Sequence, residues 1–420
     1  MDSIGVTVPK LRRTFVSVMC RKTRGAFLLF SMIRFAGVAW ETRFQYLCAE
    51  HLKKGELWFE PDTCTGKIVA KTDSFFELQL RASDSRLKNM YKEVKGLAVY
   101  ISAVLLIFSS KARRKVTKLS EFLKIPNHEI TLLILLVSTI TLLEKLIGIK
   151  FTLAKTAYSI RYIDSPFNLL AFFLVELPLL MCLAMKLFEL LGRKLIVMFY
   201  IVLVADNLLD TFWCARVDKA RLERVPLKIF PPKLQEMIKS EGMEESIYRV
   251  KDSKKTNASQ VGFGSFKRIE IQGDFSKDTK KLYPVLFHEI GHSIDNIILK
   301  RKILSHLIVA CEVLVFISIY TKGSKAFGFS DMSSEAFVLA MFAMYLILGR
   351  PLVLIISNVY AQRSELFADE VARANGYGKE LSQALLDMCL EYNSPVDATF
   401  LFNAITSLHP TTRERIDRCG

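Results

Sequence analysis

The chain has 420 residues, 51% of them hydrophobic, and its 58 Lys and Arg against 42 Asp and Glu give a formal net charge of +16. This apolar content, with a mean hydropathy of +0.27, excludes an ordinary soluble protein of two or three domains and points to several membrane spans. The positive charge is spread through the polar segments and is nowhere interleaved with aromatics, which excludes a nucleic-acid groove and favours a membrane surface.

In chain order, residues 1–24 form a basic N-terminal segment expected at the membrane surface, with no small-residue cleavage site to mark it as a removable signal. Residues 25–212 hold five candidate spans, at 25–40, 94–109, 130–149, 167–191 and 195–212, separated by polar loops. The loop 41–93 is long, with Pro61 and Gly66 as turn signals; the loop 111–129 is strongly basic, and 151–166 joins the third span to the fourth. Residues 213–302 read as a soluble part, 303–357 as the sixth and seventh spans (303–320 and 335–357), and 358–420 as a C-terminal helical part. Glu144, Glu176, Asp206, Asp210 and Glu312 fall inside spans, where ionisable groups either face a polar cavity or reach the headgroups. The eight cysteines show no C-x-x-C spacing, so neither a thiolate metal site nor a disulfide framework is indicated.

The chemistry concentrates at PVLFHEIGHSID, residues 284–295. His288 and His292 are four apart, on one face of a helix, so both imidazoles can bind one metal ion. Glu289 is turned about a third of a turn away, beside the metal rather than on it, where a general base must sit to take a proton from an attacking water. The pattern is that of a zinc hydrolase holding one Zn2+ per chain. Just upstream, Gln260 to Ile271 reads as two short strands, and a strand edge beside the metal helix is a natural place for an extended peptide to add.

A catalytic zinc commonly takes three protein ligands. After the seventh span, SELFADEVA places Glu365 and Asp369 four apart, Glu365 as a candidate third ligand and Asp369 as a partner that could orient an imidazole. Taken alone the pair would be a solvated acidic face. The two intervening spans form a hairpin, however, so His292 and Glu365 are expected on the same side of the membrane. Near the C-terminus, in HPTTRER, His409 and Arg415 could donate to an oxyanion developing at an amide carbonyl.

With these residues in place, the chain resembles the type I CAAX prenyl proteases, integral-membrane zinc proteases that process farnesylated proteins. The resemblance rests on HEIGH, on SELFAD, on HPTTRER and on Asn257-Ala258 ahead of Gly262, in that order, with further likeness at Trp40-Glu41-Thr42, Phe167-Asn168 and AFGF at 326–329. It implies zinc ligands His288, His292 and Glu365, catalytic Glu289 assisted by His409 and Arg415, an orienting Asp369, and a substrate-receiving strand at Asn257 and Ala258. It also implies a mainly α, integral-membrane fold of about seven transmembrane helices forming a barrel around a polar chamber, with a metalloprotease part carrying a small β-hairpin. The expected activity is release of the C-terminal tripeptide from farnesylated CaaX proteins, in the endoplasmic reticulum membrane or the nuclear envelope, with the site facing the cytosol and lipids as the other partners. Ser293 stands where the family places Trp, and Ser259-Gln260-Val261 where it prefers aromatics. Two rival readings are a membrane-protein quality-control zinc protease indifferent to prenylation, and a non-catalytic scaffold or channel stabilised by zinc. Nothing in the sequence sets an oligomeric state.

Overall fold

The computed structural model of the protein describes residues 8–70, 72, 74–122, 124, 127–147, 172–215, 221–251, 257–273 and 279–420. Among them the elements run α1 (Val8–Lys53), α2 (Cys64–Val69), α3 (Phe75–Phe108), α4 (Ser110–Phe122), α5 (His128–Ile147), α6 (Leu177–Leu191), α7 (Arg193–Ala215), β1 (Leu222–Arg224), α8 (Pro232–Ser240), β2 (Ile247–Val250), β3 (Asn257–Val261) and β4 (Arg268–Gln272). They continue as α9 (Thr279–Asp295), α10 (Ile297–Ala326), α11 (Ser334–Met344), α12 (Arg350–Val353), α13 (Ile355–Ala374), α14 (Gly378–Glu391), α15 (Phe400–Thr406) and α16 (Thr412–Cys419). The connection 151–166, the pair Phe167-Asn168 and the side chains of Glu144 and Asp210 lie outside the described residues.

The chain divides into two units, one of Met1–Ala39, Asn89–Val202 and Ile308–Val353, the other of Trp40–Lys88, Leu203–Leu307 and Leu354–Gly420. Two helical runs, Ile297–Ala326 and Ser334–Ala374, are each long and apolar enough to cross a membrane, and α3 with α4, bent by 80° where they meet, makes a third if the pair is one span. The described residues thus present two or three such helices where seven spans were expected. Part of the difference is chemical. Arg34 interrupts the apolar stretch 25–40, and in the first unit it lies 3.5 Å from Glu93 and donates to the Ile347 carbonyl at 2.5 Å. The expected spans 130–149 and 167–191 run partly outside the described residues. The run Ser334–Ala374 has 41 residues, about twice what a bilayer needs; its apolar residues lie in the first half and its second half is the polar SNVYAQRSELFADEVARA.

The segment read as a basic loop at 111–129 is mostly helix α4. Arg113 and Ser120 are buried while Lys111, Arg114, Lys115 and Lys118 are exposed, a segregation of faces that a helix makes possible and that net charge alone conceals.

In the second unit a four-stranded sheet of order β1-β2-β4-β3 packs against helices around one apolar core. β1 pairs β2 antiparallel, β2 pairs β4 parallel and β3 pairs β4 antiparallel, with Ala258 opposite Ile271 and Gln260 opposite Ile269. The expected hairpin is therefore the β3–β4 part of a larger mixed sheet, and β3 is its edge. The turn between these strands holds Gly262 at φ +75°, where an added Cβ would collide with the Phe266 carbonyl oxygen, so glycine is required. Leu234 and Ile238 of α8, Met243 beyond it, and Ile247 and Ile269 of the sheet meet Leu286, Phe287 and Ile290 of α9, all fully buried, which fixes α9 along the sheet.

Candidate metal centre

The apolar face of α9 determines where its polar face points. Phe287, fully buried, stacks on Tyr377 with ring centroids 4.9 Å apart, and Leu286 and Ile290 complete the buried stripe. His288 and His292 consequently project together, their ring centroids 4.7 Å apart. Helix α13 crosses α9 at closest range beside Gly291, where a Cβ would stand 2.6 Å from Ala368 Cα. Glu365 and Asp369, three residues before and one after Ala368, are brought to the two histidines by this backbone-to-backbone approach.

Glu365 Oε1 lies 3.3 Å from His292 Nε2, and its Oε2 lies 3.6 Å from His288 Nε2. One donor atom each from His288, His292 and Glu365 fall within 4.8 Å of one another. Asp369 Oδ1, 2.9 Å from His288 Nδ1, fixes that ring with Nε2 toward the cluster. Arg415, partly buried on α16, donates from Nε and Nη2 to both oxygens of Asp369 at 2.8 and 2.7 Å and sets Nη1 3.4 Å from Glu365. His409 Nδ1 is 3.1 Å from Glu365 Oε2, with its side chain more than half exposed. It is held there from α13, since Asn358 donates to the carbonyls of Ala404 and Ile405 and Gln362 to those of Asn403 and Ser407, fastening the end of α15 just before it.

Burial alone would raise the pKa of Glu365, but the three imidazoles and the Arg415 guanidinium hold it well below the usual carboxylate range. Asp369, likewise buried, is pulled down to about 2 by Arg415 and His288. Burial works against charging His288, yet its contacts with Asp369 and Glu365 prevail and raise it to about 9. An anionic carboxylate is thus held among rings that compete to be protonated, which is the environment a cation would replace.

The donor set fits zinc. Two imidazoles and one carboxylate make a three-ligand set of catalytic type, with their donor atoms within 4.8 Å of one another. Glu365 Oε2 is buried and accepts no hydrogen bond of regular geometry, leaving it available to a metal.

Glu289, the neighbour of His288, turns toward the sheet, and its Oε2 accepts the backbone N–H of Gln260 on the edge strand at 2.6 Å. A cleft of about 520 Å³ is lined by Asn257, Ala258 and Gln260 of β3, by His288, Glu289, His292, Glu365, His409 and Arg415, and by Leu381, Leu385 and Met388 of α14. Of the candidate site residues read from the sequence, all but Asp369 line this cleft, and Asp369 supports it from behind. Ser293 is fully buried, donating to Glu241 at 2.7 Å, and does not line the cleft.

Sequence reasoning missed the backbone of Gln260 and the polar frame behind the cleft's lip. Tyr392 and Ser394 form part of that lip. Gln79 brackets the segment after them, donating to the Ser394 carbonyl at 3.0 Å and accepting the Val396 N–H at 2.9 Å. Glu41, fully buried, accepts the backbone and hydroxyl donors of Thr399 at 2.8 and 2.9 Å. The Trp40-Glu41-Thr42 triplet was the single trace of this frame, and nothing in its pattern named a partner.

A histidine pair and a carboxylate meet beside an edge strand, and residues 232–419 match the family model of peptidase family M48. The match spans less than half of the chain. CAAX prenyl protease 1 of Saccharomyces cerevisiae is 28% identical over 194 residues, which are 41% of this chain and 43% of that protein, so the alignment spans under half the length of this curated relative. The crystal structure of S. mikatae Ste24p superposes with a TM-score of 0.55 at 20% identity, over 94% of this chain and 98% of that one, a likeness of fold. Over those spans the chain is similar to peptidase family M48 and to CAAX prenyl protease 1, and its fold is similar to that of Ste24p.

Proposed function

We propose that this protein is a membrane-embedded zinc endopeptidase that hydrolyses prenylated CaaX-type proteins and releases their C-terminal tripeptide. The observation that carries the reading is the convergence of His288, His292 and Glu365 within 4.8 Å, next to Glu289 and the edge strand β3 in one cleft. The prenylated substrate class comes from the likeness to CAAX prenyl protease 1.

His288, His292 and the Glu365 carboxylate would hold the metal, which would supply Lewis-acid polarisation of water and the scissile carbonyl. The substrate backbone adds along β3 at Asn257 and Ala258 as an extended strand. Glu289 accepts a proton from water as its oxygen attacks the carbonyl carbon, and returns that proton to the amine nitrogen as the C–N bond breaks. His409, exposed at the cleft, donates to the carbonyl oxygen as negative charge develops there. Arg415 has two of its nitrogens engaged with Asp369 and acts mainly by holding Asp369 and Glu365 in place. By the same likeness the protein resides in the endoplasmic reticulum membrane, with the cleft open to the cytosol.

The test is cleavage of a farnesylated CaaX peptide by purified protein, beside the unprenylated peptide, Glu289→Ala and a chelator-treated sample. The expected result is cleavage that prefers the farnesylated peptide and is lost in the last two samples. Equal cleavage of both peptides would instead identify a quality-control protease. Stoichiometric zinc without cleavage would leave a scaffold.

A further inference from the structure

The basic segment 111–118 takes no part in the metal centre, and its placement has a separate meaning, independent of the hydrolase reading. Helix α4 lies between the apolar end of α3, LAVYISAVLLIF at 97–108, and the apolar helix α5. It turns through 80° from α3. A short polar helix that leaves one apolar helix almost at a right angle and leads into another lies where the two emerge from the bilayer, along its surface.

Its inward face is fastened. Arg113 forks onto Asp331 with Nε and Nη2 at 2.8 and 2.9 Å, and its guanidinium lies 4.8 Å from the centroid of the Phe329 ring. Glu129, at the start of α5, accepts the Ser333 hydroxyl at 2.6 Å. Asp331 and Ser333 belong to the turn between α10 and α11, so this turn and α4 stand at one end of the first unit. Three acids at that end are used internally, Asp331 by Arg113, Glu129 by Ser333 and Glu335 by the Tyr320 hydroxyl at 2.9 Å, while Glu121 on α4 stays exposed. Among the described residues the exposed cations at that end form no ion pair, although Arg114 donates to the Ser110 carbonyl of its own helix at 3.3 Å. Lys111, Arg114, Lys115 and Lys118 on α4, with Lys322 and Lys325 in the last turns of α10, are all exposed, and Phe122 at the end of α4 is 82% exposed. An aromatic beside a row of cations on a surface-lying helix is the combination that seats in a headgroup layer.

We propose that α4 and the adjoining end of α10 form a docking surface for anionic phospholipid headgroups, which orders a shell of acidic lipid around this end of the protein. The charge complementarity favours lipid phosphates over nucleic acid, since no aromatic platform interleaves the cations.

The full chain, reconstituted in phosphatidylcholine vesicles with a trace of spin-labelled phosphatidylserine or spin-labelled phosphatidylcholine, tests this by the ratio of motionally restricted label. The expected ratio favours phosphatidylserine severalfold at low salt and falls toward one as salt shortens the Debye length. The variant K111Q/R114Q/K115Q/K118Q lowers the ratio by at least about threefold, a conservative reading of the roughly fivefold expected for each basic residue at an anionic surface. K111R/K115R/K118R, which keeps the charge, retains the wild-type ratio and controls for misfolding, as does zinc content. A wild-type ratio of one, a ratio indifferent to salt, or an unchanged ratio in the glutamine variant would overturn the proposal.

Discussion

Replacing Gly291 by Ala perturbs the metal centre through packing alone, because Gly291 carries no functional group and faces the helix that supplies Glu365. The added Cβ would stand 2.6 Å from Ala368 Cα, against an ordinary limit near 3.4 Å, so α9 and α13 must separate by about 0.8 Å at this point. Alanine gains about 1 kcal/mol over glycine in helix propensity, and overpacking costs about 1–3 kcal/mol, so net stability falls only modestly. The metal centre is less forgiving. Gly291 lies between His288 and His292 on α9, and Ala368 lies between Glu365 and Asp369 on α13, so the separation falls between the ligands, where metal–ligand distances tolerate about ±0.2 Å. Zinc affinity, measured by competition with a chelator of known affinity, is expected to fall at least tenfold while the protein stays folded. Adding Ala368→Gly recovers little, since the nearest atom is Ala368 Cα rather than its Cβ. Wild-type zinc affinity in Gly291→Ala, or full rescue by Ala368→Gly, would refute the claim that backbone contact positions Glu365.

Glu41→Ala leaves the Thr399 N–H and hydroxyl without their buried acceptor, and Gln45 loses its 3.0 Å contact with Glu41 as well. A loss of about 2–4 kcal/mol in chemical unfolding is expected, with a raised KM as the segment behind Ser394 loosens; unchanged stability would contradict the buried-acceptor account. For the metal-free protein, His288 is raised from its ordinary 6.5 to about 9, so the stability it contributes is complete below pH 6.5 and is lost as pH rises through about 9. Unfolding of chelator-treated protein should therefore weaken by on the order of 2–3 kcal/mol across that window. The zinc-loaded protein, with His288 neutral, should show no such slope. Equal slopes in both forms would count against His288 as the metal's ligand.

The metal helix and the SELFAD helix were legible because their chemistry is local: ligand spacing of four on a helix is written directly in the residue order. The β3–β4 pair was legible through its glycines. β1 and β2 were not, since three and four residues within LER and IYRV leave no alternation long enough to read. Helix α4 was hidden by its charge, because a run of Lys and Arg gives no apolar stripe even where Arg113 is buried. Glu41 and Thr399 are 358 residues apart, and no periodicity connects two such positions. The spans were the least legible feature, since Arg34 looks the same to a hydropathy window whether or not it meets Glu93.

The cleft draws its chemical groups from stretches that the ribosome delivers at different times: residues 257–292, then a stretch at 365–369 beyond two long apolar helices, then 409–415. A nascent chain holding only the first stretch has a histidine pair without its carboxylate, and one that has reached Asp369 still lacks Arg415 to brace it. On the proposed function, hydrolytic competence therefore arrives late in biosynthesis, after residues 297–374 have been made, and a stalled or truncated copy lacks part of the site.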